Sequence, residues 1–183
     1  MNDFEKQLIN ILDEKRKQMK EQYSRVLPSG ELLWNRFDKA EFCDSGEGSS
    51  IYDTSIIMGN VSIGDNVWIG PYTILEGINA PIIIGNFVSI NAGALIYSHD
   101  STKYYVSGGI VPFKKGAVSI GDYTVVGSMS MIACGVSIGS HCVIGAHSMV
   151  TSDVPDNSIY AGVPAKRIGT VEVMDSDVIF KYD

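Results

Sequence analysis

The sequence predicts an all-β core coiled as a three-sided prism, with a helical segment before it and one long loop inside it. Three observations predict this. Within residues 118–154, an Ile or Val occupies every sixth position, six times in succession. The same spacing starts at Ile51 and is broken twice, by three extra residues after Leu75 and by 18 after Ile96. Before residue 45 the six-residue spacing is absent, and apolar residues recur at helical intervals instead.

The first segment, residues 1–44, is predicted to be helical. Most apolar side chains of residues 2–26 fall on one face at helical spacing, with charged side chains opposite. The Pro-Ser-Gly sequence at 28–30 is predicted to end this helix. Residues 31–40 predict a second short helix, because several large apolar side chains there need a surface to pack against.

The second segment, residues 45–155, carries the repeat. A period of six fits neither a helix nor an ordinary strand, but it fits a chain that places a short strand on each face of a prism and turns at each corner. Three hexads then form one 18-residue coil, and stacked coils bury a column of aliphatic residues. We expect four to five coils, with residues 97–118 extruded as a loop and residues 156–183 as a closing segment and tail. A β-sandwich of short strands is the alternative, but sandwiches do not keep a six-residue register.

Composition excludes several functions. The chain of 183 residues has a net charge of −7 and a pI near 4.9, which argues against nucleic acid and anionic membranes as partners. Three cysteines without a spaced framework are typical of reduced thiols, so we expect a cytoplasmic protein. The N-terminal segment lacks the pattern of a signal peptide, and no apolar run predicts membrane insertion.

Four short motifs add specificity to the repeat: YSHD at 97–100, VVGSM at 125–129, IGAHS at 144–148 and AGVPAKRIG at 161–169. With the hexads, they resemble the hexapeptide-repeat acyltransferases over roughly residues 51–169. The similarity is to the branch with galactoside, maltose and nodulation-factor acetyltransferases and sugar acetyltransferases of surface-polysaccharide pathways. The resemblance implies a left-handed parallel β-helix, a homotrimer with active sites between adjacent subunits, and acetyl-CoA as co-substrate, with no metal expected.

The resemblance also assigns residues to the transfer reaction. The family's catalytic histidine matches His99, which would take a proton from the acceptor and return it to the CoA thiolate. The residues that match CoA-binding positions of the family are Ser128, Ala146, Thr151, Lys166 and Arg167.

Three further residues are candidates for binding the acceptor. Glu76 lies beside the first break in the repeat, where it would orient a sugar hydroxyl or receive an amine, or would remain a solvated carboxylate. Asp100 would fix the histidine ring or contact the acceptor. It stands where many galactoside and maltose enzymes have Pro, which argues against those acceptors. Tyr105, with its neighbour Tyr104, would stack on a sugar face or hold the loop against a neighbouring subunit.

The function predicted from these residues is acetyl transfer from acetyl-CoA to a hydroxyl or amine of a sugar or nucleotide sugar, in surface-polysaccharide biosynthesis. The acceptor and the choice between O- and N-acetylation stay open. A non-catalytic hexapeptide-repeat scaffold or binding subunit is the alternative. A metal enzyme resembling carbonic anhydrase ranks third. His141 and His147 are six residues apart, which is not the histidine spacing of those enzymes, and they are expected to stack on one outer face.

Overall fold

The computed structural model describes all 183 residues, beginning with three helices. The helix α1 (Asp3–Tyr23) carries a capping box, in which the Asn2 side chain accepts from the Glu5 N–H and the Glu5 carboxylate accepts from the Asn2 N–H. It ends at Ser24, whose left-handed backbone lets its N–H bond back to Lys20. The helices of the chain are α1 (Asp3–Tyr23), α2 (Ser29–Leu33), α3 (Arg36–Phe42) and, much later, α4 (Thr102–Val106).

Two details of the helical segment differ from the sequence prediction. Pro28 does not end the first helix, since it directly precedes α2 and the chain has already left α1 at Ser24. The predicted second helix is two helices, because Trp34 is extended and the Asn35 side chain then caps α3 by accepting from the Phe37 N–H at 3.1 Å. None of the helices is both long enough and apolar enough to cross a membrane.

The predicted prism is confirmed: the chain forms a left-handed parallel β-helix. On the first face, strands stack in the order β1 (Ser50–Ile51), β3 (Trp68–Ile69), β5 (Ser89–Ile90), β10 (Val125–Val126) and β13 (Val143–Ile144), and the strands of the second and third faces stack in the same way. The strands are β1 (Ser50–Ile51), β2 (Ile56–Ile63), β3 (Trp68–Ile69), β4 (Ile74–Ile84), β5 (Ser89–Ile90), β6 (Leu95–Tyr97), β7 (His99–Asp100), β8 (Lys114–Lys115), β9 (Val118–Ile120), β10 (Val125–Val126), β11 (Met131–Ile132), β12 (Ser137–Ile138), β13 (Val143–Ile144), β14 (Met149–Val150), β15 (Ser158–Gly162), β16 (Ala165–Val173) and β17 (Val178–Tyr182).

The second and third faces share two long strands, β2 and β4. β2 and β4 begin on the second face, which β6, β11 and β14 continue, and they end on the third face, which β9 and β12 continue. Parallel partners lie 18 residues apart in the regular coils, as in the pairs Val125–Val143 and Met131–Met149. The aliphatic residue of each hexad points inward, and Ile51, Ile69, Ile90, Ile96, Ile132 and Ile144 are at most 1% exposed.

Both breaks in the repeat are insertions at the corner between the second and third faces. Opposite the two steps from Gly59 to Val61, β4 takes five steps from Gly77 to Ile82, so three extra residues bulge there. The second insertion separates Ile96 from its partner Ile132 by 36 residues, 18 more than one coil. It folds as a small hairpin in which β7 pairs antiparallel with β8, and α4 lies at its tip.

The chain closes on the first face. β15 pairs in parallel with β13, and β16 and β17 then extend the same sheet antiparallel. The hairpin between β15 and β16 contains the AGVPAK sequence, with a cis peptide before Pro164. Residues 170–183, for which the sequence made no specific prediction, therefore contain the end of β16 and the edge strand β17.

Candidate active site

His99 emerges at the base of the extruded loop, directly above Glu76 of the preceding coil. The strand pairing sets this arrangement, because Glu76 pairs with Tyr97 and the chain turns outward two residues later. The His99 Nδ1 and the Glu76 Oε2 are 2.7 Å apart. Glu76 is buried at 4% exposure, whereas the His99 side chain is 24% exposed. The pair therefore has a buried carboxylate below and an accessible imidazole above.

The first insertion surrounds this carboxylate with donors. The Ile78 N–H donates to Glu76 Oε1 at 3.0 Å, and the Ser98 hydroxyl lies 3.3 Å from Oε2. The same hydroxyl oxygen accepts from the N–H groups of Asn79 and Ala80, both at 3.2 Å. The three extra residues thus turn their backbone donors toward Glu76 and toward the serine that contacts it.

The charge of Glu76 follows from these contacts. Burial raises the pKa of its carboxyl, but hydrogen bonds from His99, Ile78 and Ser98 and the charge on His99 lower it, and the pKa ends below its usual value. An ionised carboxylate only accepts hydrogen bonds, so Nδ1 of His99 carries the proton. In the neutral ring, this tautomer leaves a free lone pair on Nε2, as a general base requires.

Glu76 holds the Nδ1 atom of His99, and an aromatic side chain holds the plane of the ring. Phe113, which the sequence analysis did not single out, stacks on the imidazole with ring centres 5.6 Å apart and planes 19° apart. Tyr104 packs edge-on against Phe113 at 4.8 Å, and Tyr105 lies 6.3 Å from it. The two tyrosines thus help to hold Phe113 in place, and Phe113 restricts the rotation of the His99 ring.

A cavity of about 500 Å³ lies between the loop base and the outer side of the second face. His99 and Asp100 line it from the loop, and Thr151 lines it from the last coil. The other lining residues are Tyr97, Ser101, Thr102, Lys114, Met131, Ala133, Cys134 and Met149. A second cavity of about 420 Å³ lies among the N-terminal helices and Tyr52, and none of its lining residues belongs to the loop.

The three acceptor candidates occupy different positions around this cavity. Glu76 is not open to an acceptor, because its oxygens face His99 and the insertion; the expected direct contact is replaced by a contact with the base. Asp100 is exposed and accepts from the Thr102 N–H at 2.8 Å, and its hydrogen bonds with Thr102 and the charges of Lys114 and His99 lower its pKa. Tyr105 is 71% exposed on α4 and does not line the cavity.

The CoA candidates divide between two corners of the prism. Ser128 and Ala146 lie one above the other at the corner between the first and second faces, where the His147 N–H donates to the Ser128 carbonyl. The β15–β16 hairpin closes the same corner, because the Gly162 N–H donates to the Ser148 hydroxyl above this column. Thr151 instead lines the His99 cavity. One chain therefore does not bring all these residues to one site.

The two basic candidates of the closing hairpin differ in their contacts. Lys166 is exposed and forms no ion pair. The Arg167 guanidinium lies 3.7 Å from Asp183 and donates to the Gly169 carbonyl at 3.3 Å. Of the two, Lys166 is the cation free to meet a phosphate.

The expected stacking of His141 and His147 is wrong. His141 stacks on Tyr123 and, through it, on Phe87, at the corner between the third and first faces. His147 lies one corner further, where its N–H bonds to Ser128. Six residues advance the chain by one face, and only 18 return it to the same corner. No three His, Cys, Asp or Glu side chains cluster as a metal site would need.

Sequence reasoning missed the supporting residues because their signal is weak. Ser98 and Phe113 are single residues in an irregular segment, where no period assigns them a direction. One signal was available for Ser98: it follows Tyr97, the partner of Glu76, so it stands next to the first insertion. For Phe113 no comparable signal exists, since its contact with His99 depends on the hairpin register.

Comparisons with known proteins agree with this fold. The family model described as bacterial transferase hexapeptide (six repeats) matches residues 117–152. Protein CapG of Staphylococcus aureus is 41% identical over 110 residues, which cover 56% of this chain and 60% of CapG. The matched part thus spans less than two thirds of that relative.

Solved structures are also similar to this chain in fold. The N-acyltransferase AntD from Bacillus cereus, in complex with dTDP and 3-hydroxybutyryl-CoA, is 26% identical with a TM-score of 0.60, over 73% of this chain and 87% of AntD. The hexapeptide-repeat acetyltransferase VCA0836 from Vibrio cholerae is 23% identical, with a TM-score of 0.65 over 90% and 92% of the two chains. The acetyltransferase domain of PglB from Neisseria gonorrhoeae, with acetyl coenzyme A, has 20% identity and a TM-score of 0.53, over 67% of this chain and 50% of that one.

Proposed function

We propose that this chain, whose hexapeptide-repeat coils are of the bacterial transferase type, is an acetyltransferase that moves an acetyl group from acetyl-CoA to a hydroxyl or amine of a sugar. One observation carries the proposal: a buried, ionised Glu76 holds Nδ1 of an accessible His99, so that Nε2 is available as a base beside a 500 Å³ cavity. The hexad repeat accounts for the fold, and the Glu76–His99 pair accounts for the proposed general-base catalysis.

The proposed reaction is direct transfer with both substrates bound. The acceptor oxygen or nitrogen attacks the thioester carbonyl carbon while His99 Nε2 takes its proton. When the tetrahedral intermediate collapses, the carbon–sulfur bond breaks and the imidazolium returns the proton to the leaving thiolate. Glu76 stabilises the transient imidazolium, since an anion 2.7 Å from Nδ1 lowers the energy of the charged ring. Holding both substrates in line supplies a further part of the rate.

The supporting residues have positioning roles in this reaction. The Ile78 backbone and Ser98 keep Glu76 ionised and oriented, and Phe113 keeps the His99 ring in one plane. Asp100, which lines the cavity beside the base, contacts the acceptor. Tyr105 supports Phe113 in place of the acceptor contact expected from sequence.

The position of the CoA candidates favours a homotrimer with shared sites. Ser128, Ala146 and the closing hairpin lie on one corner of the prism, whereas His99 and Thr151 lie on another. A second copy that places the first corner against the loop of its neighbour would complete the site. The exposed Tyr72 and Met129, at 63% and 61%, lie on that first corner and would be covered by this contact. Ser128 and backbone N–H groups of the second copy would then meet the oxyanion.

The relatives support the donor more directly than the acceptor. AntD binds an acyl-CoA together with dTDP, and the PglB domain binds acetyl coenzyme A. Both use the same fold as this chain, so acetyl-CoA is the donor to test first. AntD is an N-acyltransferase, which keeps a sugar amine among the acceptors to be tested.

The test is release of free thiol from acetyl-CoA in the presence of sugars, amino sugars and nucleotide sugars. We expect acceptor-dependent release by the wild-type chain and its loss in His99→Ala, with an unchanged oligomeric state. A scaffold predicts no release and no rise of the melting temperature with acetyl-CoA. A chain that sediments as a monomer and is fully active contradicts the shared site.

A further inference from the structure

The basic residues of the β-helix and tail are concentrated at two places. After residue 40 the chain has 14 acidic and six basic residues. Three of the six are in the extruded loop, and two are Lys166 and Arg167 of the closing hairpin. The sixth, Lys181, forms an ion pair with Glu172. The loop lysines are Lys103, Lys114 and Lys115.

These loop lysines are not neutralised within the chain. All three are exposed, and none takes part in an ion pair. The single carboxylate of residues 97–117 is Asp100, which pairs in register with Lys114 and accepts from the Thr102 backbone. Lys114 lines the same cavity as His99. The loop around the base therefore carries a net positive charge, three lysines against Asp100, in a molecule that is otherwise acidic. The Glu76 carboxylate lies buried beneath the base and faces His99 rather than the cavity.

The donor does not account for a cation at this point. Acetyl-CoA carries its phosphates at the far end of the pantetheine arm, and its reacting thioester is uncharged. A base that acts on the acceptor must lie at the thioester end. The phosphates therefore lie away from His99, and Lys166 on the other corner is free to meet them. A lysine beside the base meets the acceptor instead.

We propose that the acceptor is a phosphate-bearing sugar, and that Lys114 binds its phosphate next to the ring that is acetylated. This inference rests on the proposed acetyl transfer and narrows its acceptor. An ammonium binds phosphate as a compact charge with three donors, without demanding one orientation. Lys103 and Lys115 add to the local positive potential, which attracts an anionic acceptor toward an acidic protein.

The test compares acceptors that differ only in their anomeric group: the methyl glycoside, the 1-phosphate and the nucleoside diphosphate derivative of the sugar found active in the thiol-release panel. We expect kcat/KM to be about 10-fold or more higher for a phosphate-bearing form, since a charge-assisted hydrogen bond supplies that much. Lys114→Gln should remove most of this preference by raising KM for the acceptor, with KM for acetyl-CoA within about 2-fold. Lys181→Gln, which removes a lysine far from the loop, should change neither constant.

Two results would overturn the proposal. Equal kcat/KM for the methyl glycoside and both phosphate-bearing forms shows that the acceptor phosphate is not recognised. A rise in KM for acetyl-CoA in Lys114→Gln, with the acceptor constant unchanged, shows that the loop binds the donor phosphates. Either result leaves acetyl transfer itself intact, whereas absence of thiol release with every acceptor defeats the proposed function. A preference for the 1-phosphate or for the nucleoside diphosphate form identifies the source of the phosphate.

Discussion

The regular coils at residues 118–154 and the two insertions at the neighbouring corner use their backbone in opposite ways. In the regular coils, N–H groups donate to carbonyls of the next coil, as Met131 does to Ser148, and the interior side chains are buried. In the first insertion, the N–H groups of residues 78–80 donate to side chains instead. The backbone groups of the regular coils bond to neighbouring coils, whereas the insertions hold the side chains of Glu76 and His99 in position.

This difference separates stability from catalysis in the molecule. A side chain inside a regular coil contacts its counterparts above and below, so its loss is a packing defect. In the second insertion, Ser98 contacts Glu76 and Phe113 contacts His99, so the loss of either side chain changes the charge or the orientation of the reacting group. Substitutions in the two regions should therefore affect different measurements.

The largest effect on catalysis is expected for His99→Ala. Removal of a general base costs typically about 10²–10⁴-fold in rate, and kcat/KM for acetyl transfer should fall by that factor. The melting temperature should fall only modestly, because the His99 side chain is partly exposed and lies outside the coils, and the Ile78 N–H and the Ser98 hydroxyl still contact the Glu76 carboxylate. Steady-state thiol release and thermal unfolding measure both. Near-normal turnover would show that another group acts as the base.

The converse is expected for Ile132→Ala in a regular coil. Ile132 is fully buried, and truncation of such a residue costs about 2–5 kcal/mol in the free energy of unfolding. Turnover per folded molecule should stay close to that of the wild type. Ile83→Ala is the matched control, since Ile83 is 52% exposed and its truncation should cost far less. Urea unfolding measures the free energy of unfolding of both variants. Equal losses of this free energy would contradict the stacked interior.

The same division explains how much could be predicted from sequence. The hexad period predicts the faces, the buried column and the positions of both insertions, because each inward residue must stack on its counterpart one coil away. It places His99 at the loop base for the same reason. It does not predict the left-handed corners held by Tyr72, Phe87 and Tyr123. Each stands three residues after an inward aliphatic residue, but these residue types give no sign of a positive φ.

Within the site, the limit of prediction lies at the level of contacts. The position of Glu76 one coil below His99 follows from counting residues, but the direction of its carboxylate follows from the bulge and from the Ser98 hydroxyl. The error on His141 and His147 has a related cause. A hexad carries the chain only to the next corner, and a full return takes 18 residues, so residues six apart do not stack.

A smaller effect on catalysis is expected for Glu76→Gln. An amide keeps the shape of the side chain but cannot provide the negative charge next to Nδ1. A hydrogen bond to a charged group contributes about 1.5–3 kcal/mol, which corresponds to a loss of about 10–150-fold in kcat. KM for either substrate should change little, because Glu76 is buried beneath the base. An unchanged kcat would show that the carboxylate is only structural.

The same variant has a distinct effect on the pH dependence of stability. The folded protein holds the pKa of Glu76 below its usual value, so the carboxylate stabilises the fold at pH values above its ordinary pKa of about 4.3. This contribution is lost as the pH falls through the lower folded pKa. In urea unfolding at a series of acidic pH values, the wild type should therefore lose stability more steeply toward low pH than Glu76→Gln. Parallel curves would contradict the lowered pKa.

The smallest effect, and the sharpest test of the comparison, is expected for Phe113→Leu. Leucine keeps an apolar side chain at this position but removes the stacked ring that lies 5.6 Å from the imidazole. An aromatic pair contributes about 0.5–1.5 kcal/mol beyond burial, so kcat should fall by roughly 2–13-fold. KM and the melting temperature should stay nearly constant, since Phe113 lies in the loop and is only half-buried. Phe113→Tyr, which restores a ring, should recover most of the rate. If leucine lowers stability as much as it lowers kcat, the second insertion behaves like the regular coils, and the separation of stability from catalysis does not hold for it.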